Sequence, residues 1–211
     1  MANHVQFNIS IEGLTDEEFN SSIKMIKGTR NDYDGNPYDY EGYAELENQP
    51  FMNNIVKSFD KEGYLNNSYD WYCTNIGAKW CNIEEIQDSY ISGYSAWRQP
   101  VELVLNMLQY FANKHDDNVS ATMTYEDEYR NFLGKTYFTT EKDEDDSWYS
   151  YESDEYETNA DELADKFKER FPSIDIDADD FDWHDDFEVD GETIYPAEVM
   201  DELADEFWES T

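Results

Sequence analysis

The stretch VQFNISIEGLTDEEF, residues 5–19, decides how the chain begins to fold. Its first seven residues alternate apolar and polar side chains, which is the pattern of a strand with one buried face. Thr15, followed three residues later by Glu18, forms a capping box, so a helix is predicted to begin there and to stop near Gly28. This strand and helix are the first pair in a mixed α and β chain.

Local sequence patterns predict the further loops, helices and strands of the chain. Residues 30–43 are rich in Gly, Asn and Pro and are predicted to form a loop. Pro100 opens an amphipathic helix that continues to His115. Strand-like segments occupy residues 77–83, 89–97, 119–129 and 134–140. This order of elements predicts an α+β fold, a sheet with helices on one face.

The charge is strongly acidic and unevenly distributed. The chain has 51 acidic and 14 basic residues in 211, a formal net charge of −37. An acidic composition is typical of disorder, but disordered chains have few aromatics, and here aromatics make up 17%, so a folded chain is expected. Residues 1–140 carry a net charge of −12 and residues 141–211 carry −25, with no base beyond Arg170.

This asymmetry predicts a first domain at residues 1–140 and an acidic C-terminal region at 158–211. Residues 141–157 between them are either an acidic linker or an edge hairpin. Cys73 and Cys81 are expected to be reduced thiols, because two cysteines are too few for a disulfide framework or a zinc site. No apolar run reaches membrane-spanning length and the N-terminus lacks a signal-peptide pattern, so a cytoplasmic protein without cofactors is expected.

Four blocks of residues 1–140 resemble the YubB ferredoxin-like family of plasmid- and phage-encoded proteins: NHVQFNISIEG, YDWYCTNIGAKWCNI, SAWRQPVELVLNML and YEDEYRNFLGKTY. The family's Trp-Gly-Thr-Lys-Trp is here Ile76-Gly77-Ala78-Lys79-Trp80, and its Ala-Trp-Ser-Pro-Pro is here Ala96-Trp97-Arg98-Gln99-Pro100. The resemblance implies a ferredoxin-like antiparallel sheet and an origin in a mobile element, and it implies no reaction.

The tryptophans of these blocks suggest a structural role. Trp71, Trp80 and Trp97 are predicted to pack the sheet against its helices, because large aromatics dominate cores. A nucleic-acid stacking platform would also need a basic groove, which the sequence does not supply. Direct binding of nucleic acid is therefore not expected.

The acidic region contains a repeat, with ADELADKFKERF from Ala160 and MDELADEFWES from Met200. In each copy a Leu and a Phe four residues apart predict one apolar helical face, and the acidic residues point elsewhere. Strands near residues 174–176 and 193–195 would complete a smaller α+β unit. The acidic residues on the backs of the two helices are Asp161, Glu162, Asp165, Asp201, Glu202, Asp205 and Glu206.

The most acidic stretch, DIDADDFDWHDDFEVDGE at residues 175–192, has three interpretations, and the first two are disfavoured. Its aspartates match the first EF-hand positions, but Asp180 replaces the required glycine and Asp186 the bidentate Glu, so no specific metal site is expected. His184 has neither a nucleophile motif nor a second histidine nearby, so no enzyme activity is expected.

The third interpretation is mimicry of nucleic acid. A helical DELADEFWE holds five carboxylates in about 13.5 Å, over which one DNA strand offers about four phosphates. The sequence thus predicts a non-catalytic inhibitor, monomeric or homodimeric, that binds the basic nucleic-acid site of a host defence or DNA-processing protein. Besides the two helices, the predicted contact residues are Asp175, Asp177, Asp179, Asp180, Asp182, Trp183, Asp185 and Asp186.

Two other functions stay open. The carboxylates could form a merely solubilising surface, although solubility alone does not exclude scattered lysines. Alternatively, the chain is an adaptor or antitoxin-like protein that binds its partner through the N-terminal sheet. The acidic tail would then serve solubility or loose binding of divalent cations.

Overall fold

The computed structural model describes residues 3–31, 33–52, 69–128, 130–174, 186–189 and 191–211. The elements up to the central helix are β1 (His4–Glu12), α1 (Asp16–Ser22), β2 (Met25–Asn31), β3 (Pro37–Tyr43), a 3₁₀ turn (Leu46–Asn48), α2 (Tyr69–Asn75), β4 (Cys81–Gln87), β5 (Tyr90–Ala96) and α3 (Val101–His115). Those that follow are β6 (Ser120–Asp127), β7 (Leu133–Lys142), β8 (Trp148–Thr158), α4 (Ala160–Arg170), β9 (Phe187–Val189), β10 (Glu192–Ile194) and α5 (Pro196–Ser210).

Six strands form one antiparallel sheet in the order β4-β5-β1-β6-β7-β8. The opening stretch supplies β1, near its centre, and the residues of β1 alternate strictly between exposed and buried. The predicted α+β class with a large antiparallel sheet is therefore confirmed. Strands β2 and β3 form a separate two-stranded ribbon, and β9 and β10 form another.

The helix after β1 has the predicted capping box, but it is shorter than predicted. Thr15 accepts a hydrogen bond from the Glu18 backbone N–H, and the Glu18 carboxylate accepts one from the Thr15 N–H. The helix ends at Ser22, and Met25–Asn31 pairs with Pro37–Tyr43 to form the β2–β3 ribbon. The helix predicted to reach Gly28 and the loop predicted at 30–43 are both wrong. β-branched residues and glycine favour helix weakly, and seven cross-strand pairs replace the helical bonds.

Two hydrophobic cores cover opposite faces of the sheet. On the first face, Val5, Phe7 and Ile9 of β1 pack with residues of α1, α2 and α3. On the second face, α4 and α5 pack around Leu133 of β7. Phe138 of the same strand points to the opposite face and belongs to the first core. The prediction of helices on one face therefore holds only for the N-terminal helices α1, α2 and α3. The C-terminal helices α4 and α5 pack on the other face, against β7.

The C-terminal helix α5 is fastened directly to β7. The Lys135 ammonium donates to the Trp208 carbonyl at 2.8 Å, and the Tyr137 hydroxyl donates to the Thr211 carbonyl at 2.8 Å. These bonds satisfy carbonyls at a helix end that has no basic residue in its last turn.

Candidate functional site

Most of the predicted acidic contact segment lies outside the described residues. The predicted contact residues for which no structure is described are Asp175, Asp177, Asp179, Asp180, Asp182, Trp183 and Asp185. Asp186 is described and is exposed directly before β9. The part these residues play in binding stays a prediction.

The two repeat helices bury the predicted apolar face. Leu163 and Phe167 of α4, and Leu203 and Phe207 of α5, are buried in the second core. Asn159 caps α4, accepting a hydrogen bond from the Glu162 N–H at 3.0 Å. The predicted acidic backs of both helices are exposed: Asp161, Glu162, Asp165, Asp201, Glu202, Asp205 and Glu206.

Part of this acidic surface is already paired within the molecule. Arg170 of α4 bridges to Glu202 at 3.0 Å and to Glu206 at 2.7 Å. Arg130, in the β6–β7 turn, pairs with Asp201. A basic partner that approached the back of α5 would compete with these two arginines. With Asp165, which pairs with Lys168 at 3.7 Å, four of the predicted contact residues therefore offer less free charge than the sequence indicated.

One acidic surface without ion pairs among the described residues lies on the edge strand β8. Its four carboxylates, Glu152, Asp154, Glu155 and Glu157, are all exposed. Within the described ranges, no lysine or arginine pairs with any of them. β8 ends the sheet order, and the acidic turn 143–146 precedes it. Sequence reasoning missed these residues as contacts because it treated 141–157 as a boundary.

The carboxylates on the inner face of β8 repel one another. Burial raises the pKa of Glu152, and the negative charges of Glu155 and Glu102 raise it further. The Tyr125 hydroxyl reaches Glu155 at 3.2 Å and Glu157 at 3.4 Å, but it has only one proton to donate. The hydroxyl carries no positive charge and can donate to only one of the two carboxylates at a time, so it does not cancel the repulsion between Glu155 and Glu157.

A second surface feature is an aromatic and cationic patch formed by Tyr69, Lys79, Trp80, Trp97 and Arg98. Trp80 and Trp97 are 41% and 49% exposed, so the prediction that they pack the sheet is wrong, whereas Trp71 is buried as predicted. Trp80 directly precedes β4, and Trp97 directly follows β5. The Lys79 ammonium lies 4.2 Å from the Trp80 ring centre and 4.6 Å from that of Trp97.

Ser22, His115 and Glu18 have the composition of a hydrolase triad. Ser22 Oγ lies 2.7 Å from His115 Nε2, and His115 Nδ1 lies 3.9 Å from a Glu18 carboxylate oxygen. However, the Ser22 hydroxyl donates its one proton to the Glu18 carbonyl at 2.8 Å, and the side chain is fully buried. Ser22 is therefore not the accessible, base-activated hydroxyl that nucleophilic catalysis needs. The contacts among Ser22, His115 and Glu18 instead hold α1 against α3. Sequence reasoning missed these contacts because 93 residues separate Ser22 from His115.

The described ranges contain no group of three or more His, Cys, Asp or Glu side chains arranged to bind a metal ion. Cys73 and Cys81 are free, and burial raises the pKa of the Cys81 thiol. In the same part of the chain, no helix is long and apolar enough to cross a lipid bilayer.

Comparison of this chain with protein-family models, with curated proteins and with solved structures finds no match. The resemblance of its four N-terminal blocks to the YubB family stays an expectation that rests on those residues alone.

Proposed function

We propose that this protein is a non-catalytic inhibitor that imitates the charge of nucleic acid and occupies the basic site of a host defence or DNA-processing protein. The observation that carries the proposal is the unpaired acidic edge of β8, continued by the turn at 143–146. The acidic backs of α4 and α5, and the segment 175–185, would extend the contact.

The charge density of β8 supports this function. Four carboxylates occupy the six residues from Glu152 to Glu157. At about 3.3 Å per residue these span roughly 17 Å, over which one DNA strand carries about five phosphates. Glu152, Glu155 and Glu157 lie on one face of the strand and Asp154 on the other, so a basic groove along this edge would meet a charge density somewhat below that of its usual ligand.

The repulsion stored on β8 also supports binding. Burial and the negative charges of Glu155 and Glu102 raise the pKa of Glu152, and no described lysine or arginine forms an ion pair with any of the three. A basic partner would relieve that repulsion, and a fixed strand would lose little conformational entropy on binding. A surface that served solubility alone would be expected to mix both signs of charge.

The proposal includes the finer fold assignment and the origin. The order β1-α1-β4-β5-α3-β6, with the strands arranged as β4-β5-β1-β6, has the connectivity of a ferredoxin-like βαββαβ unit. The β2–β3 ribbon and α2 would be insertions in that unit, and β7 and β8 would extend it. A phage or plasmid origin and a cytoplasmic location in the host are consistent with this assignment.

The test is capture from a bacterial lysate by the tagged full-length chain, at about 50 mM and about 200 mM salt, with duplex DNA as competitor. The first variant neutralises Glu152, Asp154, Glu155 and Glu157. A control of equal charge change neutralises four exposed carboxylates away from β8: Glu84 and Glu85 of the opposite edge strand β4, Asp88 in the β4–β5 turn, and Glu12 at the end of β1.

Mimicry predicts capture of a basic nucleic-acid-binding protein that is lost in higher salt, displaced by DNA, and abolished only by the β8 variant. Equal capture by wild type and the β8 variant would refute the role of β8. Capture that is indifferent to salt and to DNA would refute mimicry altogether.

The aromatic and cationic patch favours one alternative, an adaptor that binds through its N-terminal domain. Tryptophan, tyrosine and arginine dominate binding hot spots, and Trp80, Trp97 and Tyr69 are exposed beside Arg98. Replacing Trp80 and Trp97 by Ala would abolish capture in this case, and neutralising β8 would leave it intact.

A further inference from the structure

The β7–β8 hairpin carries two tyrosines that lie side by side near its turn. Tyr149 and Tyr151 are two residues apart on β8 and therefore share one face of the strand. Their ring centres are 5.8 Å apart and their planes are 28° from parallel. Tyr149 is 40% exposed, and Tyr151 is half-buried. Glu141 of β7 pairs with Tyr149 across the hairpin, and we call these three residues the tyrosine ledge.

Both tyrosine hydroxyls of the ledge donate to the same carboxylate. Tyr151 donates to Glu141 Oε1 at 2.7 Å, and Tyr149 donates to Glu141 Oε2 at 2.9 Å. These two hydrogen bonds lower the pKa of Glu141, so its carboxylate is ionised at neutral pH. A phenol has a single proton, so each hydroxyl oxygen can only accept a further hydrogen bond. The ledge therefore offers acceptors alone, and its ligand must be a donor.

A second carboxylate adds negative charge beside the ledge. The hydrogen bond to Glu141 is the main cause that raises the pKa of Tyr149, and the nearby charge of Asp143 raises it further. Asp143 is held in place, because its Oδ1 accepts hydrogen bonds from the Asp145 and Ser147 N–H groups, both at 2.9 Å. An anionic ligand would be repelled by these two carboxylates. The ligand that fits the ledge is therefore a cation.

Other aromatic rings of the same hairpin already contact cations of the chain. The Lys135 ammonium lies 5.3 Å from the Tyr137 ring centre, and the Lys142 ammonium lies 5.1 Å from the Trp148 ring centre. The negative face of an aromatic ring attracts a cation at such distances. Within the described part of the chain, no lysine or arginine lies over either ring of the ledge. A cation for the ledge would come from another molecule.

We propose that the tyrosine ledge binds an arginine side chain of the basic partner. A guanidinium is planar, stacks on aromatic faces, and carries five N–H donors and no acceptor. Its donors fit the Glu141 carboxylate and the hydroxyl oxygens while its plane lies against a tyrosine ring. A lysine ammonium is a compact point charge that does not stack in this way. The inference rests on the proposed function, since the arginine would belong to the basic site that β8 occupies.

Binding of two labelled peptides to the full-length chain tests the inference, one of about ten arginines and one of about ten lysines. Fluorescence anisotropy at about 150 mM NaCl gives a Kd for each peptide. The lysine-peptide Kd divided by the arginine-peptide Kd measures the preference for guanidinium. The two peptides have equal charge, so their long-range attraction to the acidic chain cancels in this ratio. The wild-type ratio is expected to be at least about five.

Tyr149→Ala combined with Tyr151→Ala removes both rings and both hydroxyl oxygens. This variant is expected to lower the ratio at least about threefold, and to leave the lysine-peptide Kd within about twofold of wild type. The matched control is Tyr38→Ala combined with Tyr94→Ala, two exposed tyrosines away from the ledge, which should keep the wild-type ratio. If urea unfolding shows that the ledge variant does not fold, leucine replaces alanine, since leucine keeps bulk but has neither ring nor oxygen.

The outcomes separate this inference from charge mimicry. An unchanged ratio in the folded ledge variant, or an equal fall in the control variant, would overturn the arginine site and leave mimicry standing. A wild-type ratio near one would do the same. Failure of both peptides to bind the wild-type chain would refute charge mimicry, and the arginine site with it.

Discussion

Replacing Glu152 by Gln is expected to raise the free energy of unfolding at pH 7, although it removes a charge from an exposed strand. Glu152 lies on the same side of β8 as Glu155, near Glu102 of α3, and both neighbours are negative. Glutamine keeps the shape of the side chain and removes the repulsion. The gain would show that β8 is held in a strained electrostatic arrangement.

The magnitude follows from the geometry of the strand. Glu152 and Glu155 are three residues apart with an irregularity between them, a separation of roughly 7 to 9 Å. Coulomb's law then gives about 0.5 to 1 kcal/mol at effective dielectric constants of about 80 to 40, and salt screening halves it. Glu102 adds a second repulsive neighbour, whereas exposure of the Glu152 side chain to solvent weakens both interactions. The total repulsion that Glu152→Gln would remove is therefore about 0.5 to 1 kcal/mol.

The effect should depend on pH with a definite sign. A carboxyl whose folded pKa is raised destabilises the fold when ionised, so the penalty exists at pH 7 and vanishes below the unfolded pKa of about 4.3. Urea unfolding followed by tryptophan fluorescence at pH 7 and at about pH 3.5 measures both limits. Equal gains at both pH values, or a loss at pH 7, would show that the ionised Glu152 carboxylate does not destabilise the fold.

Glu141 on the same hairpin provides the opposite control. Hydrogen bonds from the Tyr151 and Tyr149 hydroxyls, at 2.7 and 2.9 Å, lower its pKa. Its contribution to stability is present above the unfolded pKa and is lost as the pH falls through the folded value. Glu141→Gln should therefore destabilise the protein at pH 7, opposite in sign to Glu152→Gln.

Three further predictions concern the packing. Phe167→Ala empties the centre of the second core and should cost about 3 to 5 kcal/mol, read as a lower urea midpoint, whereas an unchanged midpoint would show that this core is loose. Gly134→Ala places a Cβ 2.3 Å from the Tyr125 hydroxyl and should lower the melting temperature, with partial recovery on adding Tyr125→Phe. Asn159→Ala removes the α4 cap and should cost about 1 kcal/mol by urea unfolding.

The sequence was a reliable guide where one short pattern carried the information. The alternation of β1, the capping box at Thr15 and the Leu-Phe stripes of α4 and α5 all appear as predicted. It failed at residues 25–43, where the cross-strand pairing of a hairpin overrode weak helix and loop signals, and at Trp80 and Trp97, where chemical type did not reveal exposure. Because residues 141–157 were predicted to be an acidic linker or an edge hairpin, Glu152 and its neighbours were not predicted as contact residues.

By itself, the sequence determined the excess of negative charge, its concentration after residue 140, and the amphipathic helices that would carry part of it. Which carboxylates form ion pairs depends on the way the chain folds. Arg130 and Arg170 reach the back of α5 because the second core packs α4 and α5 against β7, whereas no described lysine or arginine forms an ion pair with the carboxylates of β8. Ion pairing depends on distances in space, which no count of charges along the chain contains.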